Sequence, residues 1–171
     1  MKKVLILTAL FTCGLTAVQA QKFAYVDTEY ILEKIPEYTA AQRQIEQLSN
    51  QYQATIEAEI KKVDQLFRTY QTEKGRLNDA QRQQREQEII NKEQAVKDLQ
   101  KSYFGQDGTV TKRTEALIKP IKDRVQRAID ALATEGGYAV IFDTAAAPGF
   151  IYTNPAFDLS NRVLEKLGIR I

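Results

Sequence analysis

Residues 45–81 read IEQLSNQYQATIEAEIKKVDQLFRTYQTEKGRLNDAQ, and this stretch decides the fold. Ile45, Leu48, Tyr52, Ile56, Ile60, Val63, Phe67 and Tyr70 recur at spacings of three and four, which keeps them on one stripe of a helix. So narrow a stripe makes a seam against one partner helix rather than a globular core. The step from Tyr52 to Ile56 to Ile60 repeats the four-residue interval, which predicts a local stutter in a coiled coil. Between Thr39 and Tyr103 there is no proline, and Gly75 is the only glycine. Asn78-Asp79-Ala80-Gln81 fits a capping box, so the turn is predicted at Lys74 to Asn78. Beyond it Ile89, Val96, Leu99 and Tyr103 carry the seam back. Thr39 to Tyr103 therefore predicts an antiparallel helical hairpin whose outgoing arm, at 1.5 Å per residue, is roughly 50 Å long. Glu57/Lys61, Glu88/Lys92 and Glu93/Lys97 are expected to support it as four-residue pairs, while the polar run Ala80 to Glu88 leaves the tip loosely packed.

At the N-terminus, Met1-Lys2-Lys3 precedes an apolar run from Val4 to Val18, and Val18-Gln19-Ala20 offers a small-residue cleavage site before Gln21. This pattern predicts an export signal over residues 1–20, cleaved after Ala20, and a periplasmic location. The apolar run is too short for a retained membrane span. Lipid attachment at Cys13 is disfavoured by the bulky Leu10-Phe11-Thr12 before it. Cleavage removes Lys2 and Lys3, so the 24 Lys and Arg of the whole chain fall to 22, equal to the 22 Asp and Glu. The chain has no His, and its single Cys lies in the leader, which removes the usual zinc ligands, disulfides and Ser-His or Cys-His nucleophile pairs.

The remaining segments predict a small body built from both ends of the chain, residues 21–38 and 104–171, with the hairpin, residues 39–103, inserted between them. Phe23 to Asp27 reads as a strand, and Asp27 or Thr28 can cap a helix over Glu29 to Lys34 that Pro36 ends. Gly105 and Gly108 break the return helix and are candidate hinge residues. A further helix is expected over Thr111 to Thr134, with Pro120 predicting a kink or a shifted boundary. Gly136-Gly137 then stops the chain before an apolar strand, Tyr138 to Asp143, expected to be covered on both faces. Ala145 to Gly149 is read as a turn, Phe150-Ile151-Tyr152 as a returning strand, and Asp158 as the cap of a last amphipathic helix ended by Gly168. Three short strands leave open edges that identical strands of other copies would close. The fold class is α+β, mostly α: a small β-barrel-like body formed by oligomerisation, with one long coiled-coil hairpin arm per chain.

The order of signal peptide, strand Lys22 to Asp27, polar helical hairpin, strand Tyr138 to Asp143, Ile151-Tyr152 and C-terminal helix resembles the Skp/OmpH family of periplasmic chaperones, over essentially the whole mature chain. The resemblance implies a homotrimer in which Phe23, Tyr25, Val26, Val140, Ile141, Phe142 and Ile151 belong to the shared body. It also implies that three arms surround a cavity holding unfolded outer-membrane proteins without nucleotide; no cofactor or metal is expected from the residues. Tyr52, Phe67 and Tyr70 are candidate client contacts, to be weighed against simple seam filling. One departure is charge: residues 39–103 carry 11 Lys and Arg against 10 Asp and Glu, so a lipopolysaccharide site is not carried over from basic relatives. A structural coiled-coil spacer of the cell envelope is the alternative.

Enzymatic and nucleic-acid readings fare worse. Glu57/Glu59 and Glu86/Glu88 are two residues apart and diverge on a helix. Asp27 and Asp143, at strand ends, are read as caps or turn formers. Gly105-Gln106-Asp107-Gly108 has the glycine spacing of a KH loop but lacks its basic or aromatic platform.

Overall fold

A computed structural model describes residues 21–146 and 149–170; the export signal therefore lies outside the described residues, as do two positions of the Ala145 to Gly149 turn. The chain runs β1 (Lys22–Val26), α1 (Thr28–Glu33), α2 (Pro36–Glu73), a 3-10 turn (Lys74–Arg76), α3 (Asp79–Phe104), α4 (Thr109–Gly136), β2 (Tyr138–Asp143), a second 3-10 turn (Pro155–Phe157) and α5 (Ser160–Lys166).

Helix ends follow local chemistry. Asp27 caps α1 by accepting from the Tyr30 amide at 2.9 Å. Pro36 occupies the first turn of α2, where its missing N–H costs nothing. At the hairpin tip the Asn78 side chain accepts from the Gln81 amide at 2.9 Å while Gln81 accepts from the Asn78 amide at 3.1 Å, the expected reciprocal box. Gly137, at φ 64°, is the left-handed residue that closes α4. Asp158 accepts from the Ser160 amide at 2.8 Å at the start of α5. Pro120 shifts no boundary: α4 runs unbroken through it. Both Pro120 and Ala116, whose carbonyl loses its donor, are exposed, which leaves the orphaned group at the solvent surface.

The core joins both ends of the chain. Val26, Ile31, Ile35, Val163 and Leu164 are its most deeply buried members, and Ile121, Val125, Ile129 and Leu132 face them from α4. Burying a side chain of this size contributes roughly 1.5–3 kcal/mol. Every buried member of this cluster lies in residues 24–41 or 121–164. The distal hairpin has only Ile56, Tyr70 and Ile89 buried.

The sheet departs from expectation. It has two strands, parallel, with Phe23 opposite Val140, Tyr25 opposite Phe142 and Val26 opposite Asp143. Phe150-Ile151-Tyr152 forms no strand, and Ile151 is fully exposed. Phe150 instead rests its ring edge-on against Phe142 of β2 at 5.7 Å, and the outer side of β1 carries a bridge from Tyr25 to Asp158. Nor is β2 covered on both faces, since Val140 and Phe142 are exposed while Ile141 packs toward the core.

Candidate functional surfaces

The hairpin seam is more regular than the expected stutter. Beyond Ser49, the side chains withdrawn from water along α2 are Tyr52, Ile56, Glu59, Val63, Leu66 and Tyr70, alternating four- and three-residue steps that form an ordinary heptad seam. Ile60 and Phe67 each follow a seam residue by one position and are 43% and 48% exposed. The return helix adds Ile90, 55% exposed beside buried Ile89.

Tyr52 stacks on Tyr103 and the Tyr70 hydroxyl donates to Glu86, so the level of α2 residue n meets α3 near residue 155 − n. By that relation Ile60, Phe67 and Ile90 lie within about two helical turns of one another. The opposite face of the hairpin holds a groove of about 420 Å³ floored by Val63, Leu66, Val96 and Leu99, and none of the three lines it. They form a separate apolar row near mid-arm.

The three sequence candidates thus divide. Tyr52 is half-buried, its ring 3.9 Å from that of Tyr103 with planes 5° apart. Tyr70 is buried, and the Glu86 carboxylate that accepts from its hydroxyl, followed by desolvation, raises its pKa above the ordinary phenol value. Only Phe67 presents its ring to solvent. Spacing alone sets Ile60 and Phe67 on the seam and does not mark Ile90, because an apolar residue one step off a seam fits the three-or-four interval equally well; the heptad through Glu59 and Leu66 is the signal that separates them.

Charges along the arm are solvated. The ion pairs are one turn long, Lys62 to Glu59 at 2.6 Å and Arg85 to Glu88 at 3.0 Å, and Glu88 therefore meets Arg85 rather than the expected Lys92. Such exposed pairs contribute about 0.2–1 kcal/mol each. At the arm base Glu37 meets Arg124 of α4 at 3.3 Å. The backbone N–H at the helix start, ahead of this guanidinium, holds the Glu37 carboxyl below its usual range.

The junction between arm and body is closely packed. Gly105 and Gly108 both have negative φ, near −65° and −71°, so no left-handed backbone is involved. A Cβ on Gly105 would lie 2.4 Å from the Lys101 carbonyl oxygen, and one on Gly108 would lie 2.6 Å from that of Tyr103. Glycine is required here by close approach.

The body carries an exposed cluster of aromatic side chains. Phe23 stacks on Phe142 with centroids 6.5 Å apart, and Phe150 meets Phe142 edge-on at 5.7 Å. With Tyr152 and Phe157 these rings line an open cleft of about 670 Å³. Of the remaining body candidates, Tyr25 is half-buried, Val26 lies in the chain's own core, and Val140 and Ile151 are exposed.

Among the described residues, no three His, Cys, Asp or Glu side chains group as a metal site would require, and no helix is long and apolar enough to cross a membrane. Asp143 is a structural acceptor: Thr28 donates through its amide at 3.2 Å and its hydroxyl at 2.7 Å.

Residues 22–167 match the family model described as outer membrane protein (OmpH-like). A solved structure described as an outer membrane chaperone (OmpH-like), from Caulobacter crescentus CB15, superposes with a TM-score of 0.66 at 14% identity, covering 92% of this chain and 90% of that one. At that identity the likeness concerns the fold. No curated protein matches.

Proposed function

Because the chain belongs to the OmpH-like outer membrane protein family, we propose that it is an ATP-independent periplasmic holdase that keeps unfolded outer-membrane proteins from aggregating. The observation that carries this reading is the exposed row Ile60, Phe67 and Ile90 on an arm fastened to the body at one end. A client kept soluble yet able to refold needs many weak contacts, and isolated apolar side chains among solvated charges provide them. Phe67 retains its place as a contact, Ile60 and Ile90 join it, and Tyr52 and Tyr70 hold the hairpin together.

The body is the assembly unit in this reading. The uncovered edge of β2 and the aromatic cleft around Phe23 and Phe142 are surfaces that a soluble chain covers with other copies of itself. Three copies, as the family resemblance implies, would set three arms around one cavity. In this reading residues 21–38 and 104–171 form the body and 39–103 the arm, whose first turns stay packed on the body through Ala41 and Gln44. The Gly105 to Gly108 junction is where the arm would pivot.

The experiment is suppression of aggregation. An unfolded β-barrel membrane protein diluted from denaturant should stay soluble with the parent protein and precipitate when Gln42 to Gln100 is replaced by a short linker. Precipitation with the parent protein would favour an envelope spacer, which has no reason to hold a client.

A further inference from the structure

We infer that Gln21 is a modification site, which closes to N-terminal pyroglutamate after export. The inference rests on the proposed cleavage after Ala20, which makes Gln21 the first residue of the mature chain. Gln21 precedes β1, is exposed, and borders the aromatic cleft of Phe23, Phe142, Phe150, Tyr152 and Phe157.

The cleft is a poor place for a free amine. An α-amino group titrates near pH 7.7–8.0 and is mostly charged at neutral pH. No Asp or Glu lines the cleft to pair with it, and the neighbouring Lys22 ammonium is already directed to the Gly136 carbonyl at 3.1 Å. Covering this surface with another copy would bury an unpaired cation, an arrangement that is strongly disfavoured.

Cyclisation removes that charge without a co-reactant. The α-amino nitrogen attacks the side-chain Cδ of Gln21 and the new N–Cδ bond closes a five-membered lactam. The Cδ–Nε2 bond breaks, and Nε2 leaves as ammonia with the proton the amine gives up; nothing is oxidised or reduced. The two reacting groups share one residue, so the step is intramolecular. The product is a neutral ring at the mouth of an apolar cleft, closed to aminopeptidases and to amine reagents.

The test uses the full chain, exported by a host with a periplasm, purified from that compartment and cut after glutamate. The expected N-terminal peptide spans residues 21–29, is lighter than its encoded mass by one ammonia and takes up a single amine label, on the Lys22 side chain. A synthetic peptide of the same sequence, carried through identical handling, should keep its α-amine and take up two labels. An exported peptide starting at Gln21 with a second label, on its α-amine, overturns the proposal while leaving the cleavage site intact. Equal cyclisation of the synthetic control assigns the change to handling and likewise overturns it. An N-terminus at another residue overturns the cleavage reading and the proposal together.

Discussion

Tyr52 and Tyr103 lie face to face where the hairpin leaves the body, their ring centroids 3.9 Å apart and their planes 5° from parallel. Above this stack α2 packs on α3. Below it α2 meets α4, through Gln44 with Arg113 and Glu37 with Arg124, both at 3.3 Å. The stack is thus a clasp at the base of the arm. Tyr103→Ala should cost about 2 kcal/mol, most of it local, since the ring is half-buried and stacked. Amide exchange should quicken in residues 96–104 and in the facing turns of α2 while the body core stays protected. Uniform acceleration through the body would show that arm and body unfold as one unit.

The exposed row should bear on client capture and little else. Replacing Ile60, Phe67 and Ile90 together with Ser removes apolar surface that the chain does not bury. Thermal stability should hold, while affinity for an unfolded outer-membrane protein falls about tenfold, or about 1.4 kcal/mol. A fluorescence titration measures this, and unchanged affinity would move the contact surface elsewhere.

Tyr70 gives the arm a pH limit on the alkaline side. Its neutral hydroxyl donates to Glu86, and this bond, with desolvation, raises its folded pKa above the ordinary value. The contribution is complete below the unfolded phenol pKa of about 10 and is lost as pH rises through the raised folded value. Tip amides near Tyr70 and Glu86 should therefore exchange disproportionately faster above that pH. Tyr70→Phe should abolish the excess; an excess that survives the substitution would contradict the assignment.

At the junction, Ala at Gly105 or Gly108 meets backbone oxygens rather than a strained φ. Overpacking of this kind costs about 1–3 kcal/mol. The double variant should expose the amides of residues 101–112 and change the capture of large clients, which require the arms to spread, more than that of small ones. Equal effects on both would leave the glycines as a helix stop only.

How much of this was legible beforehand follows from how local each signal is. The Asn78 capping box, the Gly137 stop and the strand Tyr138 to Asp143 rest on chemistry within a few residues, and the sequence reading of each matches the structure. The seam register depends on the opposite helix. Glu59 enters it because Val63 and Ile56 fix the heptad, and Ile60 leaves it although it is the more apolar side chain. Phe150 to Tyr152 has strand composition, but a strand exists only where its backbone pairs, and composition does not decide that. Ile151 accordingly stands in solvent within the single chain.

The central claim is that copies of the body assemble so that their arms enclose a client, and the mass of the intact complex tests it most directly. The parent protein should weigh three chains alone and three chains plus one client after mixing with an unfolded outer-membrane protein. Phe142→Asp places a charge on the exposed side of β2, not in the chain's own core, and should yield a folded single chain that retains little client. A parent protein that is monomeric both alone and with client, or a Phe142→Asp variant with the parent's assembly and client mass, would contradict the account.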